Sequence, residues 1–570
     1  MRTLAARIGW ESVVVVFLAA ITMLTALPAP WLWASHLPAA GPQDEIEMLW
    51  YFWHVRQFAL GEVRDLFYTH MLFYPNGTSL ALSCAPWTFA FALLPVTLLV
   101  KGTPGLFLAY NLFILVSFVL TGYFVFLLVR AVTRSAPAGV VSGAMVACHP
   151  YCYNHLSRLH LLAYCWVPLF LYFLWRLWQS PSKKAALLAV VCAVACAYTS
   201  LQYLVQLVGA FVLFVLTLSV LDRKKWRDRR LRVSLAGLAA GVCVAVLLVT
   251  IPAMLAEPME VVGEVGPRFC SKWWSLNVRE LAIPRYGSIL AALAGGLGAE
   301  IHPGMRGSTY VGVSLVALSV LGFVHHRRRD RWLWLVMATA FLALSLGASL
   351  KVGESTYVRD MMPYSWLRRW VPVLVWDRAP GRLFRTAHLA LAVLAGLGFA
   401  FLFKVLRDRA GRAGVFLLPA VLAAVIVEYV PTNVQFWSPE IPTIYETIAK
   451  DLEPVAVCPL PGEWGVKRYH MLYQTLHGKP ITGGRIVRRC AAAGLTVEGM
   501  PIARAMLTPR PGNRQRIEEI RRVLMENRVK YVVLHPVESG SLRLETDRCR
   551  LEKWLEVVER TDQAVLFRVF

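Results

Sequence analysis

The chain has 570 residues, of which 57% are hydrophobic and only 16% charged, with a formal net charge of +24. A water-soluble domain is nearer half apolar and a quarter charged, so this composition excludes an ordinary soluble enzyme and points to a polytopic membrane protein. The positive charge does not mark a nucleic-acid binder, because much of it sits in short clusters between apolar windows, where topology is set.

Met1–Ser35 opens on Arg2 and Arg7 and continues into an apolar run too long for a signal-peptide core, so a retained first span is expected. Apolar windows cover roughly 10–34, 84–100, 104–129, 136–150, 161–178, 185–200, 201–221, 233–256, 308–324, 331–349, 385–405 and 413–431. Strong basic loops lie at 223–232, 327–331 and 404–412, and weaker ones at Arg130/Arg134 and Lys183/Lys184. If 84–100 crossed the bilayer, Arg2 and Arg7 would face away from all three strong clusters. If it does not cross, every cluster faces the cytoplasm. Pro86 and Pro95 suit a broken segment.

The expected fold is therefore a polytopic α-helical membrane protein. It has about eleven transmembrane helices, a re-entrant or juxtamembrane helix at 84–100, and a small C-terminal extracytoplasmic α/β domain. Residues 1–431 form the membrane domain, with outer loops 35–83, 257–307 and 350–384, and the N-terminus is cytoplasmic. The tail, 432–570, reads as strands at 455–460, 529–536 and 564–570 with a helix near 513–528. That helix has apolar spacing at Ile517, Ile520, Val523 and Leu524. The cytoplasmic loops are short and hold no GxxxxGK[ST], which argues against an ATP-driven pump. The 11 cysteines form no CxxC pair and read mostly as small core residues.

Chemistry concentrates on the outer face. Asp44, Glu45 and Glu47 open a helix whose apolar face is Ile46, Leu49, Trp50 and Trp53. Acidic residues suit a helix N-terminus, but a partly desolvated carboxylate near the bilayer surface also suits a base or a substrate-orienting group. Asp44 is nearest the end of span one and is the leading candidate, with Glu45 beside it. His149, His155, Arg158 and His160 crowd one short outer loop. Their spacing does not match a zinc pair and no carboxylate stands nearby, so metal binding is the weakest of three readings, behind contact with an anion or sugar and a plain wet interfacial loop.

Loop 257–307 carries Arg268, Lys272, Arg279, Arg285 and Arg306 among Trp273, Trp274 and Tyr286. Loop 350–384 carries Arg359, Arg368, Arg369, Arg378 and Arg382, with Arg385 at its edge. The planar fork of arginine matches phosphate oxygens, and anchoring to lipid headgroups is the rival use. The cluster WDRAPGRLFR (376–385), directly before a span, is the most specific of these. Asn76-Gly-Thr reads as a glycosylation sequon or a plain turn. Gly396, Gly398 and the Gly295–Gly298 run lack GxxxG spacing and read as span-packing or loop residues.

The acidic first outer loop, FYPNGTSLAL, LLPVTLL, the spans ending in LLVRAVTRS and HPYCYNHLSRLH, and RAPGRLF before a late span together resemble bacterial glycosyltransferases of the GT-C superfamily, broadly like glycosyltransferase family 39 and the protein mannosyltransferases. The tail segments CPLPGEW, QTLHGKP and KYVVLHP extend the resemblance. It implies a bacterial inner-membrane enzyme that moves a sugar from a polyprenyl-phosphate donor to a glycan, lipid or protein acceptor at the outer face, with inversion. It also implies that Asp44 is the base or acceptor-orienting group. Members of the superfamily often carry a second acidic residue in the outer loop between the third and fourth spans, but 149–160 contains no Asp or Glu. No cofactor is therefore assigned; a divalent metal stays an alternative that no second outer-loop carboxylate supports. His155, Arg158 or His160 stands in, or Glu264, Glu280 or Glu300 supplies the carboxylate. Arg378 and Arg382, then Arg285, are the residues expected at the donor phosphate.

The rival reading is a transporter or a non-catalytic assembly protein for lipid-linked saccharides. It calls for ionisable residues at mid-span and matched internal repeats. The apolar windows are nearly free of charge and show no clear repeat, which favours an interfacial active site.

Overall fold

The computed structural model describes the chain except residues 1, 39–43, 256–258, 262–273, 285–286, 294–307, 354, 360, 371–378, 462–466, 487, 491–495, 498–499, 508–513, 536–546 and 550. Contacts divide it into two compact units. One comprises 1–30, 112–249 and 263–435, and the other 31–111, 250–262 and 436–570.

The chain is mostly helical. Among the described residues, Thr103–Thr133, Leu159–Gln179, Leu201–Leu221, Arg229–Pro252 and Pro380–Ala410 are long and apolar enough to cross a membrane. Gly9–Thr25, Val313–His325 and Gly414–Tyr429 are shorter apolar helices. Other windows read from the sequence as spans become shorter helices, such as Ala136–Ala147 (12 residues) and Lys183–Ala197 (15 residues). At about 1.5 Å per residue these fall short of a hydrocarbon core of about 30 Å.

In the first unit the core joins Leu171, Leu207, Phe214, Trp334 and Val393. The helices Val313–His325 and Phe384–Ala410 cross with their backbones close together. A Cβ at Gly322 would lie 2.0 Å from the Leu394 carbonyl oxygen, and one at Gly398 would lie 1.9 Å from that of Leu318. Only glycine fits either position, which is the packing role expected of Gly398. Val212, Leu216 and Val220 form an exposed apolar stripe along one spanning helix, a face suited to lipid. Basic loops tie down helix ends: Lys225 donates to the Trp178 carbonyl (2.9 Å) and Arg331 to that of Phe323 (2.8 Å).

The second unit holds a four-stranded sheet in the order Glu556–Arg560, Val565–Arg568, Val529–Leu534, Ala456–Leu460. The last pair is parallel, with Val532 opposite Cys458, and the other pairs are antiparallel. Every residue of Ala456–Leu460 is buried, as befits a strand covered on both faces. Helix Arg514–Glu526 places Ile520 and Leu524 in the core under this sheet. Ile517, expected on the same stripe, is exposed, and Arg516 is buried in its stead.

Segment 84–100 folds in this unit as two six-residue helices, Trp87–Ala92 and Leu94–Leu99, neither long enough to cross a bilayer. Helix Glu45–Ala59 departs from the expected one-sided pattern. Every residue from Glu45 to Val55 is buried, because Trp87–Ala92, Leu94–Leu99 and Lys467–His477 all pack on it.

Candidate functional site

In the second unit the candidate carboxylates are built into the fold. Asp44 sits just before helix Glu45–Ala59, and its side chain makes no hydrogen bond to that helix's amides. Its Oδ1 instead lies 3.1 Å from Nη2 of Arg485 and 3.6 Å from Nη2 of Arg468. Both arginines come from the tail, and the sequence reading did not single them out. Glu45 is fully buried. Glu47 is buried too and accepts a hydrogen bond from the Tyr51 hydroxyl (2.8 Å). Its burial, with the Asp44 charge adding to it, raises its pKa to about 7 against the opposing pull of Arg485 and Tyr51.

The aromatic helix is stapled to the tail. Trp50 donates through Nε1 to Gln474 Oε1 (2.8 Å), and Gln474 donates in turn to the carbonyls of Met71 (2.6 Å) and Lys479 (3.0 Å). The two loop motifs also pair through their backbones. Phe73 N–H donates to Gly483, Tyr74 N–H to Ile481, and Ile481 N–H to Met71. Asn76-Gly77 makes a tight turn, with Gly77 at φ +78° and no room for a Cβ beside the Thr69 carbonyl.

The first unit gathers a different chemistry. Tyr151, Asn154, His155, Arg158, Trp274, Ser308, Thr309 and Arg382 line a cleft of about 40 Å³. Three of the residues expected at a substrate, His155, Arg158 and Arg382, thus meet in one place, though they come from loops more than two hundred positions apart. His155 is buried against the Tyr151 ring, 4.1 Å between centroids, and its Nδ1 lies 2.7 Å from the Tyr151 carbonyl. Burial, helped by the charges of Arg158 and Arg382, lowers its pKa well below the usual histidine value and keeps the ring neutral. Arg382 donates through Nη1 to Gln202 Oε1 (2.9 Å), and its carbonyl lies 3.3 Å from the Gln206 side-chain amide. Gln206 also accepts from the Thr386 hydroxyl (2.7 Å).

Glu280 lies beside this cleft. It is buried and accepts from the Thr309 hydroxyl (3.1 Å). Burial raises its pKa to about 7, with Thr309 and Lys351 opposing. Of the three carboxylates named for the large outer loop it is the described one, as Glu264 and Glu300 lie outside the described residues. Arg285 and Arg378 lie outside them as well. His160 is half-buried and does not line the cleft. His149 is a backbone fixture, its Nε2 2.8 Å from the Tyr310 carbonyl and its Nδ1 accepting from the Tyr151 N–H.

Behind the cleft wall lies Arg385, almost fully buried. Its Nη2 is 3.0 Å from the Cys152 sulfur, and its guanidinium sits 5.4 and 5.1 Å from the ring centroids of Tyr151 and Tyr164. The sequence placed it only at the edge of the arginine cluster. Among the described residues no group of three or more His, Cys, Asp or Glu is arranged to hold a metal ion.

A family model described as a domain of unknown function, DUF6311, matches residues 7–427. No curated protein matches the chain by sequence. Among solved structures, the oligosaccharyltransferase of Archaeoglobus fulgidus in complex with zinc and sulfate is 14% identical at a TM-score of 0.51, over 97% of this chain and 72% of that one. The same enzyme tethered to an acceptor peptide containing the NVT sequon is 13% identical at 0.51, over 98% and 74%. ArnT from Cupriavidus metallidurans, bound to undecaprenyl phosphate, is 14% identical at 0.48, over 99% and 98%. At such identities the likeness to the oligosaccharyltransferase speaks for the fold, and the fold is that of the GT-C glycosyltransferases.

Proposed function

The chain belongs to the DUF6311 family, and we propose that it is a membrane glycosyltransferase. In this reading it moves a hexosyl or pentosyl group from a polyprenyl-phosphate donor to a glycan, lipid or protein acceptor at the outer face of a bacterial inner membrane, with inversion. The observation that carries the reading is the cleft lined by His155, Arg158 and Arg382 with a buried carboxyl, Glu280, one hydroxyl behind it. The shared fold supports it. About eleven spans, the shorter ones met by local thinning of the bilayer, a cytoplasmic N-terminus and an extracytoplasmic tail belong to the same proposal.

Inverting transfer breaks the bond between the anomeric carbon and the phosphate oxygen. The acceptor oxygen forms the new bond and loses its proton to a base, and the polyprenyl phosphate departs with the bonding electron pair. Cations at the departing phosphate and a carboxylate at the acceptor hydroxyl are what this step needs. Arg382 and Arg158 are proposed at the phosphate, with Arg285 and Arg378 as further candidates from the sequence. Arg382 suits the role because Gln202 orients its guanidinium without neutralising it. Asp44 is proposed as the base or acceptor-orienting group, its carboxylate held in one direction by Arg485. Glu45 reinforces it, His155 and His160 contact the sugar, and Glu280 is the second carboxyl that the 149–160 loop does not provide.

The test is transfer from a polyprenyl-phosphate sugar in reconstituted membranes. Wild type should transfer and Arg382→Gln should not, at equal expression. Equal transfer by Arg382→Gln, or none by wild type with any polyprenyl-phosphate sugar, would overturn the assignment.

A further inference from the structure

Between helix Asp330–Ser345 and the spanning helix Pro380–Ala410, one short helix carries tryptophan on its outward face. Helix Pro363–Trp370 turns Tyr364 and Ser365 into the protein and leaves Trp366 60% and Trp370 84% exposed, one turn apart on the outward face. Met361 and Tyr357, shortly before it in the chain, are exposed as well. These residues stand on a supported base. Helix Pro363–Trp370 packs against Asp330–Ser345, and Asn277 exchanges two hydrogen bonds with Gly353 at the tip of the Ser349–Arg359 hairpin, 2.7 and 2.9 Å. In water such a surface would be costly, and a contiguous exposed patch of large apolar side chains marks a contact.

We propose that this face is a lipid anchor, seated in the headgroup layer of a membrane that contains anionic phospholipids. Three observations select that occupant over a protein. In sequence the patch precedes by ten residues a helix long and apolar enough to cross a membrane, so a bilayer is the apolar phase at hand. Its composition is Trp and Tyr, whose apolar bodies and polar tips suit the membrane–water interface. Residues 361–370 also carry Arg368 and Arg369 and no acidic residue, a charge complementary to lipid phosphates. This inference rests on the membrane character of the chain and stands whether or not the protein transfers sugars.

Spin-label depth measurement tests it on the full chain in nanodiscs. Nitroxides are placed separately by Trp366→Cys and Trp370→Cys in a background where the exposed Cys243 and Cys549 are serine, and the parent signal is subtracted. Each label should meet lipid-soluble oxygen more often than an aqueous nickel chelate and report a depth of about 5–10 Å below the headgroup boundary. Both should sit deeper in phosphatidylglycerol mixtures than in phosphatidylcholine alone, and Arg368→Gln/Arg369→Gln should remove that difference. Free access of the nickel chelate to both labels would overturn the proposal. Shielding from both reagents would also overturn it, since that is the signature of a protein partner or a second copy. Two label sites on one face keep the result readable if one variant folds poorly.

Discussion

The two charged regions handle charge in opposite ways. Around helix Glu45–Ala59 the fold supplies the partners itself: Asp44 meets Arg485 and Arg468, and Glu47 meets Tyr51. Around the cleft of the first unit the cation is only steadied by neutral groups. Arg382 points at the amide oxygen of Gln202, and among the described residues it pairs with no carboxylate. A compensated charge is structural until something displaces its partner, whereas an oriented, uncompensated cation is ready for an anion. The cleft is therefore the better place to look for phosphate, and the acidic helix the better place to look for coupling between chemistry and stability.

The largest effect should come from Arg382→Gln. Removing a charge aimed at a leaving group costs about 10²–10³ in rate in comparable sites, and since Gln202 then loses only a donor, the thermal unfolding temperature should barely move. Arg382→Lys should recover part of the rate, because a point charge replaces a fork. Asp44→Asn should behave differently. It removes transfer and also leaves the buried Arg485 short of a counter-charge, costing roughly 3 kcal/mol if the pair behaves as a buried one. The double variant Asp44→Asn/Arg485→Gln should regain stability and stay inactive. If the double variant also regained activity, Asp44 would be a scaffold and not a base.

That contrast explains what the sequence could disclose. Asp44 was visible as an acid after span one, and the tail strands were visible because buried runs such as Val529–Leu534 have a local signature. The partners of Asp44 were not visible, since Arg468 and Arg485 lie in the tail among many other arginines and no local spacing ties them to residue 44. Trp50 and Gln474, bonded across 424 positions, illustrate the same limit. His155, Arg158 and Arg382 were legible as types but not as one cleft, because tertiary packing brings them together. The burial of Glu45 and Glu47 ran against the amphipathic pattern, which showed a helix with one wet face.

Each region also holds one carboxyl with a pKa near 7, Glu47 in one and Glu280 in the other. A carboxyl whose pKa is higher in the folded than in the unfolded state binds more protons when folded. Its contribution is thus full below about 4.5 and is lost as pH rises toward and through 7. The shift corresponds to at most about 3 kcal/mol for each group. Thermal unfolding followed from pH 5 to 8 should show stability falling with pH. Glu47→Gln and Glu280→Gln should each flatten that slope, and the two should add, as Asp44, Arg485 and Tyr51 act on the one and Thr309 and Lys351 on the other. If the slope is unchanged in Glu280→Gln, that carboxyl is ionised throughout and is no candidate for a proton-transfer role.

The smallest effect separates stapling from chemistry on the acidic side. Trp50→Phe keeps most of the aromatic packing between Tyr51 and His54 but deletes the indole donor to Gln474. Gln474 keeps its two bonds as a donor, to Met71 and Lys479, and loses only what its oxygen accepts. The cost should be about 1–2 kcal/mol, that of one buried acceptor left without its hydrogen bond, read as a modest fall in unfolding temperature at any pH. Transfer should persist, because the ion pair that orients Asp44 does not depend on the indole. Loss of transfer in Trp50→Phe at unchanged expression would mean that helix Glu45–Ala59 needs its staple to hold the carboxylate in register. The compensated region would then be as sensitive to geometry as the cleft is to charge.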